Sequence, residues 1–324
     1  MSRLSSAVRV FGLGLALGAA AGPAFANDST AELAAGGIVL VRNYDIRMQT
    51  EVLTIGPGEI QVDYTFENVG EKDQTVLVAF PLPDVDMDEL GDVGVEAVTG
   101  APVNFVDFQV TIDGKPVAFQ TEQKAFAVGL DVTDTLKADG VPLNPLLEGV
   151  GNVLLALPAD RRADYQTRGI AEWDGPDFAL PRWLLKTTFW WKQTFPAGKT
   201  VSVSHTYKPV VGSSFYYPQY AGDEFADYCI DEGTSEAAAK ALAESGHEMM
   251  YTHRLSYILQ TARNWSGEIG EFRLVIDKRD PYWLVSLCLD GIKKTGPTTF
   301  EWTATNFVPE KDLKILFLEP AEAP

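Results

Sequence analysis

The chain has 324 residues, with 45 Asp and Glu against 26 Lys and Arg, and a formal net charge of −19. That acidity argues against nucleic acid as a partner, because phosphate backbones demand a basic face, and against docking on anionic lipid. The excess acid serves solubility first; metal ions or basic partners are the second use open to it.

Residues 1–26 read as an export signal. Arg3 and Arg9 form a positive front, Val10-Phe11-Gly12-Leu13-Gly14-Leu15-Ala16-Leu17 begins an apolar core, and Ala24-Phe25-Ala26 gives the small-x-small pattern that signal peptidase accepts. The apolar stretch falls short of the roughly 20 residues a membrane span needs, and no later stretch qualifies. A retained anchor is the rival reading. Cleavage after Ala26 puts the mature N-terminus at Asn27 and the protein in the periplasm or outside the cell. About 300 residues then remain, room for about two domains.

Strands come first. Ile60-Gln61-Val62-Asp63-Tyr64-Thr65-Phe66-Glu67 alternates apolar and polar residues, the mark of an antiparallel strand with one wet face. Val76, Val78 and Phe80 continue it until Pro81-Leu82-Pro83, since proline cannot donate to a ladder. Phe108, Val110 and Ile112 lead into an Asp113-Gly114 turn and a return through Val117-Ala118-Phe119. The middle changes period. Asn144 suits a cap, Pro145 a first helical position, and Leu146, Leu147, Val150, Val153, Leu154 and Leu157 one helical face. Strands resume at Phe189, Trp191 and Phe195, then at Val201, Val203, His205 and Tyr207. Residues 234–245 form an Ala-rich helix capped by Thr234 or Ser235 and closed at Gly246. Short strands follow around 251–259, 272–276, 284–289, 300–304 and 315–318.

The expected fold is mainly β: two packed antiparallel β-sandwich units with a helical insertion between them. The N-terminal unit is 27–125, the insertion 126–182, and the C-terminal unit 183–324 with its short helix near 234–245.

Cys229 and Cys288 are the two cysteines. In an exported chain they read most economically as one disulfide. They stand about 60 residues apart, and closing such a loop is worth about 4 kcal/mol on chain-entropy reasoning. A redox pair or metal thiolates are the alternatives, but Cys-x-x-Cys is absent and no His lies near either.

Familiar catalytic motifs are missing: no Gly-x-Ser-x-Gly, no phosphate-binding Gly-x-x-x-x-Gly-Lys, no paired-glycine dinucleotide fingerprint. His247-Glu248 opens like a zincin helix, but Tyr251 stands where the second His belongs. His205 and His253 share strand parity with apolar neighbours, so each needs a partner for its ring, structural or acid–base. Asp84, Asp86 and Asp88 are spaced like the first ligands of a calcium loop. Glu89 replaces the required glycine and Val95 the twelfth-position Glu, leaving a solvated acidic loop or an irregular calcium site. Tyr216, Tyr217 and Tyr220 beside Asp223, Glu224 and Asp227 crowd rings against acids, as either a pinned loop or a binding surface for sugars or cations.

Several phrases carry a resemblance. Asn27-Asp28-Ser29-Thr30-Ala31-Glu32-Leu33, Val78-Ala79-Phe80-Pro81-Leu82-Pro83 and Thr194-Phe195-Pro196-Ala197-Gly198 resemble the bacterial family called domain of unknown function 4424. So do Tyr228-Cys229-Ile230, Asn264-Trp265-Ser266-Gly267 and Ile276-Asp277-Lys278. The resemblance spans nearly the whole mature chain and implies a secreted or periplasmic protein with no assigned activity. The order of alternating strand, Asn68 turn, Phe-Pro-Leu-Pro stop and Phe-x-Val-x-Ile-Asp-Gly strand is also similar, at fold level, to vault/inter-alpha-trypsin β-sandwiches. The expected function is a non-catalytic protein binding a small ligand or an envelope partner, without cofactor unless calcium. The alternative is a metal-assisted hydrolase using His205, His253 and nearby acids.

Overall fold

The computed structural model describes residues 27–90, 95–96, 100–220 and 223–321, so the signal reading of 1–26 lies outside them. The described chain is mainly β. A six-stranded sheet runs in the order Leu130–Asp131, Gln120–Ala127, Leu184–Phe195, Gln74–Pro81, Ser29–Ala34 and Gly37–Val41. An eight-stranded sheet runs Lys293–Lys294, Thr299–Phe307, Ile269–Asp277, Ile46–Ile55, Ile60–Asn68, Thr200–Tyr207, Gln109–Ile112 and Lys115–Pro116. A five-stranded sheet runs Leu284–Leu287, Leu313–Pro320, Met250–Tyr257, Val211–Tyr216 and Val95–Glu96.

Alternation decides what each strand buries. In Ile60–Asn68 every second residue, from Ile60 through Val62, Tyr64 and Phe66 to Asn68, is buried. Thr200–Tyr207 pairs beside it and buries Val201, Val203, His205 and Tyr207. Asp113 and Gly114 take φ of +49° and +73°, the left-handed pair that a tight two-residue hairpin requires. One apolar cluster joins Phe80, Phe189 and Trp191 of the six-stranded sheet, Tyr64, Phe66 and Leu274 of the eight-stranded sheet, and Leu255, Tyr257 and Phe317 of the five-stranded sheet. Phe108 stacks on Phe189 with ring centres 4.3 Å apart.

The sheets do not respect the expected division of the chain. Ile60–Asn68 pairs with Thr200–Tyr207, Gln74–Pro81 with Leu184–Phe195, and Val95–Glu96 with Val211–Tyr216, so 27–125 and 183–324 share all three of these sheets. One pair, Ile46–Ile55 with Ile269–Asp277, is parallel. A period of two reports which face is buried; it does not report which strand lies alongside.

The helical insertion expected over residues 126–182 is not confirmed, because the segment is helical only in part. It holds three short helices, Thr133–Ala138, Val150–Leu155 and Ala159–Thr167, with an Ala171–Trp173/Ala179–Pro181 hairpin. Asn144 does not open a helix: its Oδ1 accepts from the Leu146 amide at 3.0 Å, and the helix begins only after Gly149, at φ +84°. The apolar positions do pack together, with Leu136, Val150, Leu154, Tyr165 and Trp183 forming a second core.

The Ala-rich helix runs Glu232–Ser245. Its cap is Asp231, earlier than expected, whose carboxylate accepts the Thr234 amide at 2.6 Å. Gly246, at φ +74°, closes it in the left-handed conformation. Leu242 of this helix packs with Tyr216, Phe225, Met250 and Leu316 in a third core. The Cys229–Cys288 disulfide is formed and ties the segment before the helix to the end of the Leu284–Leu287 strand.

Candidate functional site

The two expected histidines are not brought to a common site. His205, on the eight-stranded sheet, is fully buried, and its Nε2 lies 3.0 Å from Oδ1 of Asp28. Rings of Tyr64, Phe80, Phe108 and Trp191 surround it, with centres 5.0–5.6 Å away. His253 belongs to the five-stranded sheet, stacks on Trp283 at 4.8 Å and meets Glu319 at 2.6 Å. They share no partner, and water cannot reach His205.

His205 belongs instead to a buried polar knot around Asn27 and Asp28, both fully buried. Asn27 Nδ2 donates to both oxygens of Glu51, at 3.1 and 3.2 Å, and Tyr64 donates to Asn27 Oδ1. Thr261 Oγ1 donates to the Asn27 carbonyl at 2.8 Å, and Trp265 Nε1 to the Asp28 carbonyl at 2.7 Å. Tyr257 Oη lies 3.3 Å from that of Tyr64. Desolvation raises the Asp28 carboxyl despite the attraction of His205. It pushes Glu51 up to about 8, with the Asn27 hydrogen bond opposing and the Asp28 charge assisting.

Glu51 therefore has a pH signature. Its ordinary value is 4.5, so between there and about 8 the folded chain keeps a proton that the unfolded chain releases. Folded-state proton retention makes stability fall as pH rises through that window and level off above it. In protein whose Asn27 is still peptide-linked, Glu51→Gln should flatten this fall in urea denaturation series. A slope that survives the substitution would assign the effect elsewhere.

The other expected residues divide. Tyr216 is buried against Phe225, ring centres 5.3 Å apart, and packs in the third core with Met250 and Leu316; it is no part of a surface. Tyr217 Oη donates to Met249 Sδ at 3.2 Å, and Asp227 pairs with Lys314 at 2.5 Å. The side chains of Tyr220, Asp223, Glu224 and Asp88 lie outside the described residues. Asp84 is paired with Lys186 at 2.9 Å, so a calcium ion there would have to displace an ammonium group. Among the described residues no group of three metal-ligating side chains occurs.

Asp84 and Asp86 do line a cleft, at the meeting of the three sheets. The Leu82–Asp86 segment is held to the six-stranded sheet by paired backbone bonds between Val85 and Leu185, each 2.9 Å. Tyr207 comes from the eight-stranded sheet and Arg254 from the five-stranded sheet. Together with Val106 and Leu255 they enclose about 90 Å³. Tyr207 is 3% exposed, and desolvation alone pushes its hydroxyl well above the ordinary tyrosine range. Neither Tyr207 Oη nor Arg254 Nε has a hydrogen-bond partner among the described residues. Arg254 reaches the Leu90 carbonyl through Nη2 at 3.3 Å. Sequence reasoning missed this cleft, because its walls come from stretches far apart in the chain.

The family model described as "Domain of unknown function (DUF4424)" matches residues 26–316. The chain belongs to this family. The match brings the DUF4424 family no assigned activity. No curated protein matches. Among solved structures, this DUF4424 chain is similar to a protein from Legionella pneumophila provisionally assigned to nutrient binding, at 17% identity and TM-score 0.42, covering 91% of this chain and 70% of that one. It is also similar to an M1 zinc metallopeptidase from Deinococcus radiodurans, at 9% identity and TM-score 0.29, covering 86% of this chain and 43% of that one. At those scores neither bears on function. The vault/inter-alpha-trypsin likeness rests on sequence alone.

Proposed function

We propose that this is an exported, non-catalytic binding protein, and that the cleft between Asp84, Tyr207 and Arg254 takes a small ligand presenting an oxygen acceptor. The observation that carries the reading is the pair of donors without partners in residues lining one cleft. A buried donor left unbonded costs about 1–3 kcal/mol, so a site that keeps two gains by receiving an acceptor. The apolar walls of Leu82, Val106 and Leu255 suit a ligand with a hydrocarbon part. Cavities of about 150 Å³ hold a benzene ring, so this one takes a carboxylate or amide end rather than a whole large molecule.

Export is supported by the charged front, apolar core and small-x-small end of residues 1–26, and by the disulfide, which persists in oxidising compartments. Among the described residues no helix is long and apolar enough to cross a membrane. An envelope protein presenting the same acceptor is the partner form of this reading, and the acidic balance gives nucleic acid no attraction.

Thermal-shift screening of the purified mature protein against small carboxylates, amino acids and sugars tests it. A ligand at a hundred times its Kd stabilises by about 2.7 kcal/mol. That shift should fall sharply in Tyr207→Phe and in Arg254→Lys. Absence of any shift across the panel, or one unchanged by both substitutions, contradicts the proposal. Without ligand, Tyr207→Phe should raise stability by about 1 kcal/mol, since it removes a buried hydroxyl that has no partner. A loss in denaturant titration would reveal a bond to that hydroxyl.

A further inference from the structure

We propose that cleavage after Ala26 completes the protein's core, because the α-ammonium group freed on Asn27 docks, buried, against the Glu51 carboxylate. The inference rests on the export reading, and it needs only water and a signal peptidase. Hydrolysis of the Ala26–Asn27 amide leaves a carboxylate on Ala26 and an amine on Asn27, which takes up a proton.

Chain ends normally lie at the surface, where an ammonium group stays hydrated. Asn27 does the opposite: none of it is exposed. Its position is held from several sides. The amide side chain meets both Glu51 oxygens, its carbonyl accepts from Thr261, and its Oδ1 accepts from Tyr64 and from the Asp28 backbone amide at 2.8 Å. The residue that would carry the new α-amine is therefore anchored to Glu51 through its own side chain.

The knot is also short of positive charge. It buries two carboxyl groups, Asp28 and Glu51, with His205 as the titratable partner of the first. Oδ2 of Asp28 has no partner among the described residues. The one buried Lys or Arg among them, Lys278, donates to the carbonyls of Pro281 and Trp283 instead. A buried carboxylate without a cation is strongly disfavoured, whereas one paired and hydrogen-bonded is tolerated. While the leader is attached, the nitrogen of residue 27 is a neutral amide and supplies no charge. After cleavage it supplies one beside Glu51. The precursor is thus held short of full stability until it is processed.

The experiment compares the chain starting at Asn27 with the same chain carrying one extra Ala before Asn27, each with Glu51 and with Glu51→Gln. The extension should lower the thermal midpoint by about 5 °C or more in the Glu51 background, and by little in Glu51→Gln. Equal losses in both backgrounds, or no loss, overturn the pairing. The pH series gives a second signature, with Asp28, Tyr64, Tyr257 and His205 as the other titratable groups facing the site. The fall in stability between about pH 4.5 and 8 should appear in the extended form and shrink in the form starting at Asn27. Should Glu51→Gln fail to fold, acylation of the unaltered mature protein decides. Its α-amine should react at least about 100-fold more slowly folded than in urea, and equal rates overturn the proposal. The native N-terminal mass separates the failures. A start other than Asn27 removes the export reading, while a start at Asn27 with a freely reactive amine removes the pairing alone.

Discussion

Asp28→Ala is expected to cost about 3–5 kcal/mol, the range seen when one member of a buried polar pair is removed. The carboxylate is fully buried and holds His205 Nε2 at 3.0 Å inside a ring of aromatic side chains. Its loss leaves an imidazole nitrogen without water or partner, beside Nδ1, which is already unbonded. Asp28→Asn should cost less, because an amide oxygen can still accept. The double substitution Asp28→Ala with His205→Phe should be more stable than Asp28→Ala alone, since a phenyl ring suits the cage and brings no polar atom into it. Guanidinium denaturation compares the parent, Asp28→Ala, Asp28→Asn, His205→Phe and the double variant. Simple additivity of the two single losses would show that the pair does not act as a unit.

Breaking the disulfide should be nearly as severe. Cys229→Ser, Cys288→Ser and the double substitution are each expected to lose about 2–5 kcal/mol, and to lose similar amounts, because either change removes the same constraint. The bridge joins the end of the Asp223–Tyr228 turn to the strand that packs below it. Ser286 Oγ also donates to the Tyr228 carbonyl at 2.9 Å, and Lys314 pairs with Asp227. Those weaker ties should keep the region native-like in the variants while its stability drops. Additive losses in the double variant would mean that the sulfur atoms act independently.

The strands were legible and their neighbours were not. Alternation from Ile60 to Glu67 and from Val201 to Tyr207 placed each strand within a residue, because one face of each lies against the core. The same pattern is silent on partners, so strands from both halves of the chain fell into shared sheets without a signal. Asn144 and Pro145 form a good helix start, yet the Asn144 side chain accepts the Leu146 amide in a local turn and the helix begins only at Val150. The cysteines could be paired by elimination, and the structure pairs them. The parity of His205 foretold its burial and its need for a partner. Nothing in the pattern named Asp28, since two adjacent polar residues read as exposed. The cleft was hidden for a different reason: Asp84, Tyr207 and Arg254 meet only through topology.

The intact mass of the protein isolated from its native envelope fraction tests most directly the proposed export and the proposed core around Asn27. The predicted mass, with the disulfide intact, is that of a chain beginning at Asn27. A mass retaining Met1, or one showing cleavage several residues beyond Asp28, would contradict it, because the first leaves the leader in place and the second removes the knot itself.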